Sequence, residues 1–252
     1  TVISAIPFEQ CPAKTWKRED GTTLQGRSVF NHCQIVAETA RHLISLFPES
    51  MQSRLFPQGS EMAAGGHDIG KVSPTFVVKI RAACGLDTKT IPELEKFTSL
   101  KESGWSGHAG VSQATAEEIG VPKYVAEILG QHHGFNPQVD DKRGNDEVFG
   151  GSSWFDERKK LVAALKEYLK SDWPTFQFAA QARVVAGLTS VADWIGSGEY
   201  FENPSVDWQP QIATALNNAG FIRPVIRKGL SFAEVFDPID LKMSPREPQS
   251  LF

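Results

Sequence analysis

Gly65-Gly66-His67-Asp68-Ile69-Gly70-Lys71, written GGHDIGK, follows Met62-Ala63-Ala64 and decides how the chain is read. It sets a histidine and an aspartate side by side among small and apolar residues. Neighbouring side chains on a helix point about 100° apart. The two therefore cannot bury against one wall without a shared polar partner. A metal ion between them is one such partner, and the other histidines decide whether it is the right one.

Working outward, the pattern is helical. From Ser28 on, Val29, Cys33, Val36, Ala37, Ala40, Leu43, Ile44 and Phe47 keep the spacing of an amphipathic helix, and Pro48 ends it. Residues 59–71 read as a second helix with the His-Asp doublet near its end, and residues 74–84 as a third. The stretch 85–107 reads as a loop with a short helix. A helix over 108–119 stops at Gly120. Pro122 suits the first turn of a helix running to His132-His133. Residues 136–153 are polar and glycine-rich, hence a loop. A helix over 155–169 turns Lys159, Lys160, Lys166 and Lys170 to solvent. The helix over 175–195 is apolar nearly all round, so it is expected to be central and buried. A short helix covers 211–219. Residues 1–27 lack a clear period and form an irregular lead-in with a short strand or hairpin around 15–24. No strand-like alternation is sustained, so the expected fold is all-α. The final DPIDLKMSPREPQSLF loses periodicity and reads as a linker or cut end.

Composition narrows the class. The chain has 252 residues, 40% hydrophobic and 22% charged, as in ordinary globular domains. No apolar run approaches the roughly 20 residues of a membrane span, and the N-terminus lacks the features of a signal peptide. Cys11, Cys33 and Cys84 are scattered without a C-x-x-C, so each is expected to be a small buried apolar residue in a reducing cytoplasm. The net charge of −4 is unlike that of a protein held to nucleic acid by charge alone. Any such contact must be local, or aided by bound cations or a partner.

Six histidines are present: His32, His42, His67, His108, His132 and His133. All but His42 fall near expected helix ends or first turns, where residues far apart in sequence can face one point. Asp68 has two oxygens and could bridge two ions about 3.5–4 Å apart. His67 would then serve one ion while His132 and His133 approach the other. Imidazole and carboxylate together suit transition metals better than Mg²⁺. His42, mid-helix beside Arg41, reads as an ordinary hydrogen-bonded residue. His32 or His108 alone would read the same way. Asp193, in Ser190-Val191-Ala192-Asp193-Trp194-Ile195-Gly196, is either a ligand or a helix-to-loop cap. Leaving the His-Asp doublet, the His-His doublet and a buried aspartate separately satisfied would be costly, which favours the metal.

In this order His32, His67-Asp68 within HDIGK, His108, His132-His133-Gly134 and Asp193 in ADWIGS, the chain resembles the HD-domain superfamily. More closely it resembles the HD nuclease domains of Cas3, the nuclease-helicase of type I CRISPR systems. The tail, with Phe232–Phe236 and then Pro245-Arg246-Glu247-Pro248-Gln249, is similar to the junction where Cas3 passes into its helicase. The resemblance implies an HD-domain helical bundle over 1–235, with 236–252 a linker toward an absent helicase. It implies two metal groups, His32, His67, Asp68 and Asp193 in one, Asp68 with His108, His132 and His133 in the other. The ions it implies are two divalent transition metals, Mn²⁺, Ni²⁺, Co²⁺ or iron rather than Mg²⁺. Lys71 matches the lysine of HD-x-x-K and would contact the scissile phosphate or orient the attacking water. A surface cation at a helix end is the plainer reading of it. Asp68 and Lys71 are thus the catalytic candidates. Gly65-Gly66 replaces larger apolar residues found in many HD proteins, a departure expected to loosen packing beneath the site.

The implied activity is cleavage of single-stranded DNA in type I CRISPR interference, in the prokaryotic cytoplasm, with the helicase domain and the surveillance complex (Cascade) as partners and no membrane. Trp105, Phe135 and Trp194 are candidates for stacking on bases, each more simply a packing residue. A nucleotide or cyclic-nucleotide phosphohydrolase would use the same ligands. A non-catalytic interaction module bound by CRISPR subunits or a viral inhibitor would use none.

Overall fold

Ser28 opens the first helix. Its hydroxyl accepts from Asn31 N at 3.2 Å and so satisfies one of the free amides of the first turn. Helix α1, Val29–Ser45, follows, with Cys33, Val36, Ala37 and Ala40 buried on the stripe that its sequence spacing predicts. In the computed structural model the described residues are 4–87, 107–135, 150–223 and 229–236, with 242, 244 and 246. Before α1 the lead-in holds a two-stranded antiparallel hairpin, β1 (Thr15–Lys17) and β2 (Thr23–Gln25), with Trp16 opposite Leu24. After α1 come α2 (Glu49–Leu55), α3 (Ser60–Gly65), a 3₁₀ turn over Gly66–Lys71, α4 (Pro74–Ala83), α5 (His108–Glu118), α6 (Val125–Gly130), α7 (Gly151–Leu169), α8 (Ala179–Gly196), a 3₁₀ turn over Glu199–Phe201 and α9 (Gln211–Asn218). Among the described residues the only sheet is the small hairpin, so the fold is the all-α bundle the periodicity predicts.

Contacts divide the chain into two units, Thr1–Ile222 and Arg223–Phe252. The second unit holds α10, Phe232–Phe236, opened by a capping box in which Ser231 N donates to Glu234 Oε2 and Glu234 N to Ser231 Oγ. Most of the Pro-Arg tail, the 136–149 stretch and nearly all of the expected loop at 85–107 lie outside the described residues.

In the first unit α1 runs between two apolar clusters. Val29, Cys33 and Ala37 join one with Trp154, Leu161 and Leu165 of α7. Ile35, Val36 and Ala40 join the other with Val185 and Leu188 of α8 and Ile212 of α9. A helix that buries both faces is a central helix, and α1 takes that place. The α8 segment does not bury all round as its composition predicts: Arg183, Gly187 and Trp194 lie on an exposed face. It also starts at Ala179, later than expected, after non-helical residues from Trp173 to Phe178.

Other differences have local reasons. The expected helix over 59–71 is two pieces, α3 ending at Gly65 and a 3₁₀ turn from Gly66, and within the turn Asp68 adopts φ −105°, ψ 16°, in the sparsely used bridge region. The expected helix from Pro122 to His133 is only Val125–Gly130. Tyr124 just before it has φ 74°, and His132-His133 fall in the turn after it. Helix α2 carries no buried residue and so shows no apolar stripe to read. Cys11 and Cys33 are buried as expected, but Cys84 is only partly covered.

Gly65 and Gly66 do not loosen the packing. A Cβ on Gly65 would stand 3.0 Å from Ala37 Cβ, and one on Gly66 would stand 2.6 Å from the Trp173 ring. The distance at Gly66 is closer than real side chains approach and that at Gly65 is tighter than most, so these glycines let α3 and the turn seat directly against α1 and Trp173.

Candidate metal centre

The kink at Asp68 answers the geometric problem of the doublet. By leaving helical geometry at this residue, the turn swings His67 and Asp68 toward one point, and His67 Nε2 lies 3.1 Å from Asp68 Oδ2. His67 Nδ1 lies 2.7 Å from Ala64 O. That hydrogen bond fixes the proton on Nδ1 and presents the Nε2 lone pair inward. His132 repeats the device, with Nδ1 at 2.6 Å from Leu129 O. The turn after α6 is what lets His132 fold back on its own helix end, so the end of α6 at Gly130 is part of the site's construction.

Helix α1 supplies His32, whose Nε2 is 3.1 Å from Asp68 Oδ2 and 3.3 Å from Asp193 Oδ1. Helix α8 supplies Asp193, also 3.3 Å from His67 Nε2. Helix α5 supplies His108 at its first residue, 3.2 Å from Asp68 Oδ1. His132 Nε2 is 3.6 Å from the same oxygen, and His133 Nε2 is 3.0 Å from His108 Nε2. Five segments remote along the chain thus meet. The ligand-type atoms of His32, His67, Asp68 and Asp193 all lie within 4.8 Å of one another, as do those of His108, His132 and His133. The first group is buried, and the second opens toward solvent through His133 and partly through His108.

The donor set fits divalent transition-metal ions. His32 Nε2, His67 Nε2, His132 Nε2 and both Asp68 oxygens are buried and face one another within 3.1–3.6 Å, with Lys71 at Asp68 Oδ2 the one cation among the described residues from outside the two groups. Buried polar atoms are almost always satisfied, and a bound cation would satisfy these together. The 3.1–3.6 Å separations are those of atoms disposed around common points. Asp68, with one oxygen toward each group, is placed to be shared.

The electrostatics agree. Burial alone would push the His67 imidazole down, but Asp68 and Asp193 outweigh it and hold it at about 10. Burial would raise Asp68 and Asp193, yet the His67 charge, and Lys71 in the case of Asp68, keep both carboxyls below their usual range. His132 is pushed down to about 3 by burial and by the His67 charge. Burial and His108 likewise lower His133. The buried group therefore demands positive charge, which a proton or a metal ion can supply, and His132 and His133 beside it are pushed toward the neutral form that ligands need.

Lys71 Nζ lies 2.6 Å from Asp68 Oδ2, one turn along, and 5.5 Å from the Phe76 ring centre. Phe76 also meets His108 edge-on at 5.3 Å between ring centres. His42 is an exposed residue with Nδ1 on Glu38 O, apart from the site. Trp194 is 69% exposed and Phe135 52%, so neither is a packing residue, while Trp105 lies outside the described residues.

Supporting residues went unread in the sequence. Ser197 Oγ donates to Asp193 Oδ1 at 3.0 Å, so Asp193 serves the cluster and the end of α8 together. Ser112 Oγ accepts from Gly70 N at 2.9 Å and ties α5 to the turn. Single serines at these spacings carry no signal; only the Ser-after-Asp step in ADWIGS is visible in retrospect.

The comparisons agree with this geometry. A curated relative from Streptococcus thermophilus, the CRISPR-associated nuclease/helicase Cas3, is 25% identical over a match covering 60% of this chain and 19% of that protein. The chain thus spans about a fifth of that relative's length. A crystal structure of a CRISPR-associated protein superposes with TM-score 0.64 at 25% identity, covering 94% of this chain and 29% of that one. The Thermus thermophilus Cas3 HD domain, solved in the presence of Ni²⁺, superposes with TM-score 0.50 at 21% identity, covering 77% of this chain and 85% of that one, a likeness of fold. The family model described as Cas3, HD domain matches residues 13–201, three quarters of the chain and every segment that feeds the cluster, and the chain therefore belongs to the Cas3 HD-domain family.

Proposed function

We propose that the chain is a metal-dependent nuclease that hydrolyses phosphodiester bonds of single-stranded DNA during type I CRISPR interference. One observation carries the reading: seven ligand-type side chains from five remote segments form two groups that meet at Asp68, with the ligand-type atoms of each group within 4.8 Å of one another. His32, His67, Asp68 and Asp193 would hold one divalent transition-metal ion, and Asp68, His108, His132 and His133 a second. When bound, such ions supply a nucleophile at neutral pH and neutralise charge on the transferred phosphoryl group.

The chain's own residues do the rest. The carbonyls of Ala64 and Leu129 hold His67 and His132 in the tautomer that ligation needs. The open side at His108 and His133 gives a strand access, while the His32 and His67 side excludes water. Lys71 sets a positive charge at the edge of Asp68, suited to a phosphate oxygen or to orienting the attacking water. Phe135 and Trp194 offer exposed rings for base stacking. Bound cations also ease the approach of a polyanion to a protein of charge −4. The relative's name, nuclease/helicase, supports placing the chain as the HD part of a longer protein. Its helicase would feed the strand, in the prokaryotic cytoplasm and with the surveillance complex. Among the described residues no helix is long and apolar enough to cross a membrane.

The test offers Mn²⁺- or Ni²⁺-loaded protein a circular single-stranded DNA and a panel of nucleotides and cyclic nucleotides. Cleavage of the circle, about two metal equivalents per chain, and loss of both cleavage and metal in Asp68→Ala are expected. Hydrolysis of the small molecules alone, or full cleavage by Asp68→Ala, would refute the proposal.

A further inference from the structure

The lead-in before α1 shows no metal-ligand pattern, yet it brings a lysine to the same end of the molecule. Lys14 is half-buried, and its Nζ donates to Ser197 O at 3.1 Å. Ser197 is the residue whose hydroxyl holds Asp193 Oδ1 and whose amide donates to Asp193 O at 2.8 Å. Lys14 is therefore two hydrogen bonds from the cluster, on its Asp193 side, whereas Lys71 stands on Asp68.

The backbone around Lys14 is fixed. Gly26 N donates to Lys14 O at 2.8 Å, Ala13 N to Arg27 O at 2.8 Å and Val29 N to Cys11 O at 2.8 Å. A Cβ on Gly26 would stand 2.9 Å from Lys14 O and 3.3 Å from Lys14 Cγ. Glycine there keeps clear the path along which the lysine stem lies. The hairpin thus anchors Lys14 at both its backbone and its stem.

Its head group is less well served. Ser197 O is its one hydrogen-bond partner among the described residues, and no carboxylate there lies within ion-pairing distance of it. Burial pushes the Lys14 ammonium down, Glu202 pulls it up and Lys71 pushes it further down. An ammonium partly removed from water without a carboxylate in ion-pairing contact is unfavourable. Lys14 on the Ser197 carbonyl beside Asp193 and Lys71 on Asp68 set a cation at each of the two acids of the buried group, a place for an anion.

We infer that Lys14, held on the Ser197 carbonyl, forms a subsite for a second phosphate of the nucleic-acid strand, beside the one at the metal centre. The inference rests on the reading of the substrate as a polynucleotide. The lead-in then has a reason to be built into the domain: it supplies a backbone contact that a mononucleotide cannot use. Such contacts position a strand without reading its sequence.

The competing role for Lys14 is a cap on the carbonyls at the end of α8. Fluorescence anisotropy of a labelled single-stranded oligonucleotide separates the two, with metal-free and with Ni²⁺-loaded protein, between about 50 and 200 mM salt. Lys14→Ala is expected to weaken binding and to make the slope of log K against log salt shallower by about 0.7, one phosphate contact on a single strand. Lys14→Arg is expected to keep the wild-type slope. Equal slopes for wild type and Lys14→Ala in both states, or no measurable wild-type binding, would overturn the subsite. So would a fall in melting temperature and nickel content at an unchanged slope, the result a cap predicts. A wild-type chain that binds the strand with this lysine dependence but never cleaves it would leave the subsite standing and remove the nuclease reading.

Discussion

Replacing Gly70 with alanine tests whether the centre depends on one backbone contact. Gly70 lies in the 3₁₀ turn between Asp68 and Lys71, and α5 begins directly against it. A Cβ there would sit 2.1 Å from His108 O, 2.5 Å from Ser112 N and 2.8 Å from Ser112 Oγ. The obstructing atoms are mostly backbone, so no side-chain rotation relieves the clash. Against the ordinary contact of 3.4 Å, α5 must retreat by about 1.3 Å at His108. Overpacking of this kind costs about 1–3 kcal/mol, and loss of the Ser112 bond to Gly70 N adds about 1 kcal/mol.

At roughly 2–4 °C per kcal/mol for a chain of this size, a melting temperature lower by about 4–16 °C is expected. The same retreat carries His108 away from Asp68, and misplacement on the order of 1 Å costs about 10²-fold in rate. Differential scanning calorimetry, metal titration and cleavage of circular DNA measure the three effects. Gly187→Ala is the control: it lies on the exposed face of α8 with nothing within 4 Å of a Cβ, and is expected to be neutral or stabilising by about 0.5–1 kcal/mol. A Gly70→Ala protein that melts, binds metal and cleaves like wild type would refute the close-approach argument.

Two further outcomes follow from the cluster. In metal-free protein His67 is raised to about 10, so its stabilisation is complete below about 6.5 and lost as pH rises through 10, while His132, lowered to about 3, behaves oppositely and destabilises as pH falls below about 6.5. The depressed carboxyls of Asp68 and Asp193 add stability present above about 3.9 and lost at lower pH. The metal-free melting temperature should therefore peak near pH 6.5, and binding of Ni²⁺ at pH 8 should release about one proton from His67; a pH-independent melting temperature, or calorimetric heats that do not vary with the buffer's ionisation enthalpy, would contradict this. Ser197→Ala removes the hydroxyl that holds Asp193 Oδ1 and should weaken metal binding by roughly 10–100-fold in a chelator competition, with little change in melting temperature; unaltered affinity would show that Asp193 needs no such support.

The helices and the chemistry were legible for one reason: both are written in short-range pattern. Apolar spacing along α1 and α5 is a nearest-turn property, and a histidine beside an aspartate in a small-residue segment is unusual wherever it occurs. With the family resemblance, the order of His32, His67-Asp68, His108, His132-His133 and Asp193 was enough to name the residues that would share a centre.

What the chain alone did not show are the features set by packing against distant segments. The 59–71 segment gives way to a 3₁₀ turn after Gly65 and kinks at Asp68, where two polar groups reach one point, and α6 stops at Gly130, so that His132 bonds its own helix end. Gly65 and Gly66 read as a loosening of the packing, yet they and Gly70 are where another element closes directly on the backbone. Lys14 looks like an ordinary lysine in an irregular lead-in until β2 and the end of α8 are placed beside it. Periodicity records which face of an element is buried; only the folded chain decides what lies against that face, because those contacts join residues that no local pattern links.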